Sequence, residues 1–244
     1  SVMVIVPTEL ITDNGSKLES IVLELAHLNN LDFKFIEWLE TNNIFCNSLV
    51  DRIVPGKPNA EELKRTEETL GYTDELLTNS EVFRLWAIEG NEKIKEVLSF
   101  YKSDYAVVIT HDITLFKELK LRLLNGTNRF NCGLAFLSGF NITREAVTDK
   151  IFSVFAKNLM HQEIANSIPF EIDRKVKVEF AINVFERFCN PFIDHQWISI
   201  TVQYTSKMKM RNVPLITRHY ELNENPPMHM ATGFAGFLLF MKAT

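Results

Sequence analysis

The run Lys120-Leu121-Arg122-Leu123-Leu124-Asn125-Gly126-Thr127-Asn128 sets one amine and two side-chain amides close together in the chain. Leu119, Leu123 and Leu124 make an apolar face, and Lys120 falls beside that face rather than opposite it. At the α-helical step, Lys120, Asn125 and Asn128 fan over about 140° if the helix runs on through Gly126, a spread that a long lysine can span. The chemistry open to such a set is a lysine and an amide converging on one oxygen. A lysine partly desolvated beside a cleft holds its proton less tightly and can give or take one. The same residues also read as a solvated amphipathic helix that stops at an Asn-Gly cap, and the pattern alone leaves both readings open.

Two other groups carry charge into apolar surroundings. Asp51 and Arg52 sit side by side in Asn47-Ser48-Leu49-Val50-Asp51-Arg52-Ile53-Val54-Pro55-Gly56. On a strand they face opposite sides, so each needs a partner from elsewhere in the fold, either a structural ion pair or a ligand. After the turn at Asn190-Pro191, Asp194 is placed to cap a helix that carries Lys207 and Arg211. These two cations lie four apart on one face, which suits a carboxylate ligand, or equally an exposed basic helix end favoured by the dipole. The histidines at 27, 111, 161, 219 and 229 show no metal-ligand spacing. Cys46, Cys132 and Cys189 form no CxxC pair, which argues against a zinc site or a disulfide framework. No GxGxxG, GxSxG or HExxH occurs.

These groups need elements to position them. The chain has 244 residues, enough for one large domain or two small ones, and 46% hydrophobic against 23% charged residues is a soluble globular balance rather than a disordered one. A net charge of −5 with both signs scattered gives no nucleic-acid footprint. The longest apolar run, Ala231 to Met241, is too short for a bilayer span and reads as a buried helix. The opening residues lack a basic region and a cleavage site, so a cytoplasmic, membrane-free protein is expected. Val2 to Val6 is the pattern of a strand buried on both faces of a parallel sheet, as at the end of a larger sheet. Helices follow at 16–29 and 31–40, a further exposed one after its Asn59 cap, strands at 83–88 and 105–110, and a short helix at 91–100 between them. From about Ile113 the pattern is nearly all helix, at 114–124, 144–160, 175–188, 195–208 and 228–242. The expected fold is mainly α with a partial α/β segment, divided into residues 1–112 and a helical domain at 113–244.

Taken in order, Asn14-Gly15, the 47–56 run, Lys120 to Gly126, Arg187-Phe188-x-Asn190-Pro191 and Ser206-Lys207-x-x-x-Arg211-x-x-Pro214 resemble the long-chain polyol dehydrogenase family. That family includes the mannitol dehydrogenases and the hexuronate reductases. Pro7 to Ile11, Phe45-Cys46, Leu70-Gly71-Tyr72 and Asn190 to Gln196 look most like the hexuronate reductases, and Leu10 stands where the mannitol branch has Asn. The resemblance implies an NAD-dependent oxidoreductase that reduces the keto group of a small sugar acid in the degradation of pectin-derived galacturonate. It implies a remnant of a Rossmann-type sheet followed by an all-helical substrate domain, with the nucleotide-binding half absent from this chain. It makes Lys120 the general acid, Asn125 a donor to the developing oxyanion, and Asp51 a residue that orients the substrate or tunes the lysine. Lys207 and Arg211 are candidates for the substrate carboxylate on charge grounds. Where the family pattern has a histidine, this chain has Asn128, which can hydrogen-bond a sugar but cannot titrate near neutral pH. A mannitol-type dehydrogenase or a non-catalytic sugar-acid-binding or interaction domain remain the rival readings. The sequence sets no oligomeric state.

Overall fold

The computed structural model describes residues 2–242. They form two compact units that are not sequential. Residues up to Arg52 and Arg84–Lys117 make the first unit, and Ile53–Phe83 joins the residues from Glu118 onward in the second. A single division near residue 112 therefore lies close to one boundary but does not capture the excursion at 53–83.

In the first unit, β1 (Met3–Ile5) is followed by α1 (Asn14–Leu28) and α2 (Phe33–Asn42), and β2 (Asn43–Phe45) pairs parallel with β1. The parallel pairing matches the expectation for the opening run, but its burial on both faces does not hold within this chain, since Met3 is 43% exposed. β3 (Ser48–Asp51) then begins a second sheet. The chain crosses into the second unit for α3 (Ala60–Leu70) and returns to β4 (Leu85–Glu89), antiparallel to β3. After α4 (Glu92–Val97) and a 3-10 turn, β5 (Val107–Thr110) pairs parallel with β4. The Asn14 amide ties this unit together. Its Nδ2 donates to the carbonyls of Pro7, Glu9 and Ser48, and its Oδ1 accepts from the Ser48 amide. The neighbouring Gly15 lets α1 close on the 46–47 peptide, where a Cβ would lie 2.5 Å from the Cys46 carbonyl carbon.

The second unit is helical. α5 (Thr114–Leu119), which passes from the first unit to the second after Lys117, leads into a π-helical run, Lys120–Gly126, and then into α6 (Thr127–Leu137). The expected stop at Asn125-Gly126 does not occur. α7 (Thr143–Thr148) and α8 (Lys150–Asn158) replace one expected helix, because the Asp149 carboxylate accepts from the amides of Ile151 and Phe152 and starts a new helix there. A second π-helical run, Leu159–Ile164, precedes α9 (Arg174–Phe188), whose stripe of Val176, Phe180, Val184 and Phe188 faces the core as its spacing predicts. The helix expected over 195–208 is two, α10 (Trp197–Ile200) and α11 (Tyr204–Arg211), split at β-branched Thr201 and Val202 and at Gln203 with φ +55°. Asp194 does not cap it. Its carboxylate pairs with Arg144 instead, at 2.9 Å. α12 (Val213–Leu222) and α13 (Met228–Lys242) complete the unit.

α6 and α13 pack closely along a seam of glycines. A Cβ at Gly233 would lie 2.7 Å from the Phe130 Cβ, and one at Gly236 would lie 2.9 Å from the Leu134 Cβ. The N-terminus of α13 is fixed by Glu163 of the second π-helical run, which accepts from the amides of His229 and Met230. α3 begins as its sequence predicts, with the Asn59 side chain accepting from the Glu62 amide, and none of its residues is buried.

The 53–83 excursion is held to α9 by a buried bidentate pair. Arg187 donates from Nε and Nη2 to the two Glu81 oxygens at 3.0 and 2.7 Å, and its guanidinium lies over the Phe83 ring. The Ile53 amide also donates to Glu81, at 2.6 Å. Breaking such a pair by removing one partner strands the other charge. Arg187→Met is accordingly expected to destabilise the protein by about 3–5 kcal/mol, read as a lower urea midpoint. A change under about 1 kcal/mol would show that the pair does not anchor the excursion.

Candidate active site

The π-helical geometry at Lys120–Gly126 changes the relation between the lysine and the first amide. In an α-helix, residues five apart point about 140° away from one another. Hydrogen bonds that close from i to i+5 widen the turn, so that residue i+5 comes round toward the side of residue i. Asn125 is five residues after Lys120, so the π turn draws together two groups that an α turn separates. Lys120 is 8% exposed, on a helix whose Leu119, Leu123 and Leu124 are buried, and Asn125 is half-buried. Asn128 is buried one turn further on, and its Oδ1 has no hydrogen-bond partner among the described residues.

α11 is clamped alongside this run at both ends. Near its start, the Tyr204 hydroxyl donates to the Arg129 carbonyl at 2.7 Å and accepts from the Gly133 amide at 3.1 Å. At its end, Arg122 donates from Nη1 to the carbonyls of Met210 and Arg211 at 3.0 and 2.8 Å, while Glu118 holds the rest of its guanidinium. Asn212 adds a bond from Nδ2 to the Gly126 carbonyl at 2.8 Å. Lys207 and Arg211 lie between these ties. Arg211 is buried, with Nε unpartnered, whereas Lys207 is half-buried and donates to the Val202 carbonyl.

Arg129, which no sequence motif singled out, is buried beside Asn128, and its Nε and Nη1 have no hydrogen-bond partner among the described residues. Burial pulls its pKa below the usual guanidinium value. Arg211 is pulled down to about 10, by burial and then by the charge of Arg129. Lys207 is lowered by burial and by both arginines, and His195 by burial and Arg129. No carboxylate of the described residues forms an ion pair with Arg129, Lys207 or Arg211. His195 also lines a cleft of about 590 Å³ with Gln196, Ser199, Arg144 and the 55–59 turn. Of the sequence candidates, Lys120, Asn125, Asn128, Lys207 and Arg211 all belong to the second unit. Asp51 belongs to the first, at the end of β3, 2% exposed and in register with Leu85 of β4. Arg129 did leave a mark in the sequence, as the only charged residue between Arg122 and Arg144.

Two family models cover this fold. The mannitol dehydrogenase Rossmann domain matches residues 2–99, and the mannitol dehydrogenase C-terminal domain matches residues 112–244. The chain belongs to the mannitol dehydrogenase family. Altronate oxidoreductase of Bacillus subtilis (strain 168) is 36% identical over 237 residues, covering 97% of this chain and 48% of its own length. That of Cronobacter sakazakii is 38% identical over 241 residues, with 98% and 49% covered. The chain thus spans about half the length of the curated relatives it matches. Among solved structures, a D-sorbitol dehydrogenase in substrate-free form has a TM-score of 0.80 at 22% identity, covering 98% of this chain and 48% of that one. Pseudomonas fluorescens mannitol 2-dehydrogenase, in a ternary complex with NAD and D-mannitol, has 0.73 at 23%, with 98% and 47% covered. At those identities the two structures speak for the fold alone, which agrees with the expected Rossmann-type segment followed by helices.

The entry to α1 offers no pyrophosphate cradle. The segment 7–13 that enters α1 has no glycine, and the Asn14 side chain is spent on the carbonyls of Pro7, Glu9 and Ser48. These residues do not fit a dinucleotide's pyrophosphate.

Because the folded pKa of His195 lies below its unfolded value, the unfolded chain takes up a proton more readily as pH falls through about 6.5. The folded state then loses stability toward acid. H195Q should flatten that part of the stability profile, so that its urea midpoint drops less than the parent's between pH 7.5 and pH 5.5. Equal drops would rule out His195 as a source of the loss.

Proposed function

We propose that the protein is an NAD-dependent oxidoreductase that interconverts D-tagaturonate and D-altronate, with this chain supplying the proton-transfer and substrate-binding part. The observation that carries the reading is the 36–38% identity to altronate oxidoreductases along nearly the whole chain. Reduction of a ketone needs a hydride and a proton, and the residues described here bear on the proton. Lys120, buried and brought toward Asn125 by the π turn, holds the proton that the carbonyl oxygen gains. Asn125 donates a hydrogen bond to that oxygen as its charge develops. Asn128 hydrogen-bonds a sugar hydroxyl through its unpartnered oxygen. Lys207 and Arg211 offer positive charge to the acid group.

Asn128 favours a second reading, because an amide in place of an ionisable imidazole can bind a sugar acid but cannot relay its proton. Turnover separates the two. In the full-length protein, K120A is expected to lower turnover of tagaturonate by about 10²–10⁴-fold with an unchanged unfolding profile. Near-parental activity in that variant would remove Lys120 from the proton step. No turnover by the parent of tagaturonate, fructuronate or fructose would leave the binding reading.

A further inference from the structure

We propose that Arg129 and Arg211 together form the seat of the substrate's carboxylate, and that Arg129 is the residue that makes this site specific for an acid rather than a neutral sugar. The inference rests on the sugar-acid reading above and deepens it. Its ground is the state of the two guanidiniums. Arg129 is 5% exposed and Arg211 7%, and Nε and Nη1 of the first and Nε of the second have no hydrogen-bond partner among the described residues. Buried arginines that serve structure look different in the same protein. Arg122 and Arg187 each close a two-bond fork on a carboxylate, Glu118 and Glu81. Unpartnered guanidinium nitrogens inside a protein are costly unless an acceptor reaches them. The acceptor that fits a planar fork of N–H donors is a carboxylate, taken by two bonds.

The backbone ties fix where that acceptor would sit. Tyr204 bonds the carbonyl of Arg129 itself, and Arg122 bonds the carbonyl of Arg211 itself. Both arginines are thus anchored by their own main chain, with only the side chains left to respond to a ligand. The polar oxygen of Asn128, adjacent in the chain to Arg129 and also unpartnered, can accept from a sugar hydroxyl next to the acid group. Lys207 is the minor cation of the set, since its ammonium already donates to the Val202 carbonyl. The depressed proton affinities of Arg211, Lys207 and His195 are the electrostatic counterpart, each partly caused by the charge of Arg129. An anion bound at Arg129 would relieve all three.

The test uses the full-length protein, D-altronate as the acid and D-altritol as its neutral counterpart. Calorimetric binding of each is compared in the parent, R129M, R211M and the exposed-site control K209M. Altronate affinity is expected to fall about 30–100-fold in R129M and R211M, the loss of charge-assisted hydrogen bonds, and to stay unchanged in K209M. Altritol binding should not separate the variants. Without ligand, R129M should melt at or above the parent temperature, because a buried uncompensated charge is removed. Parent-like altronate affinity in R129M, or no preference of the parent for altronate over altritol, overturns the proposal. So does an R129M that melts well below the parent, together with altronate affinity retained in R211M, since the arginines would then be structural. A parent that binds altronate through Arg129 yet reduces no tagaturonate would overturn the proposed reaction and uphold the site.

Discussion

Arg122 is held by Glu118 one helical turn earlier, and that fork aims Nη1 at the last carbonyls of α11. The carbonyls at a helix C-terminus have no partners within the helix and must find them elsewhere. Here a buried side chain from the π-helical run meets that need. The consequence reaches past the cap itself. With the Met210 and Arg211 carbonyls bonded to Arg122, α11 cannot slide along the run that holds Lys120 and Asn125. The Asn212–Gly126 and Tyr204–Arg129 bonds then fix its rotation. The position of every cation on α11 relative to α6 depends on these few bonds.

The arrangement has a cost in burial. Lys120, Asn128, Arg129 and Arg211 are each under 10% exposed, and polar atoms of Asn128, Arg129 and Arg211 have no hydrogen-bond partner among the described residues. A core has to offset that cost, and part of it is the seam between α6 and α13. There the glycine seam lets α13 approach until backbone meets backbone, with Phe130 fully buried between them. Glycines inside helices cost roughly 1 kcal/mol each against alanine, so the seam is worthwhile only because close contact gains more. α11 joins the same seam, since the Tyr204 ring packs edge-on against Phe237 and Phe240 of α13 while its hydroxyl bonds α6.

What the sequence discloses follows the range of the interactions. Periodic apolar stripes and side-chain caps act over a few residues, and the elements they define, such as α9 and the Asn59-capped α3, lie where the pattern puts them. The breaks are harder. The Asp149 cap and the left-handed Gln203 interrupt stretches whose apolar pattern continues across them, so periodicity alone runs the helices together. The π turn is harder still, because it depends on long-range packing around Gly126 and leaves an Asn-Gly pair that reads locally as a stop. Lys120 and Asn125 are thus legible as residue types in the sequence, while the geometry that draws them together is not. Arg129 is legible only as an isolated charge in a long neutral stretch, and its meaning needs the unpaired guanidinium to be seen.

The four buried arginines of the helical unit give a criterion that composition cannot. Arg122 and Arg187 are charges matched by Glu118 and Glu81, and their forks pin helix to helix or loop to helix. Such pairs contribute little net stability but fix a geometry, because the alternative is a stranded charge. Arg129 and Arg211 are equally buried and lack that match. A protein that needed them only for packing would be more stable with an apolar side chain at either place. Their retention inside the same unit that neutralises its other buried guanidiniums is the physical reason to read them as one half of an ion pair whose other half arrives with the ligand.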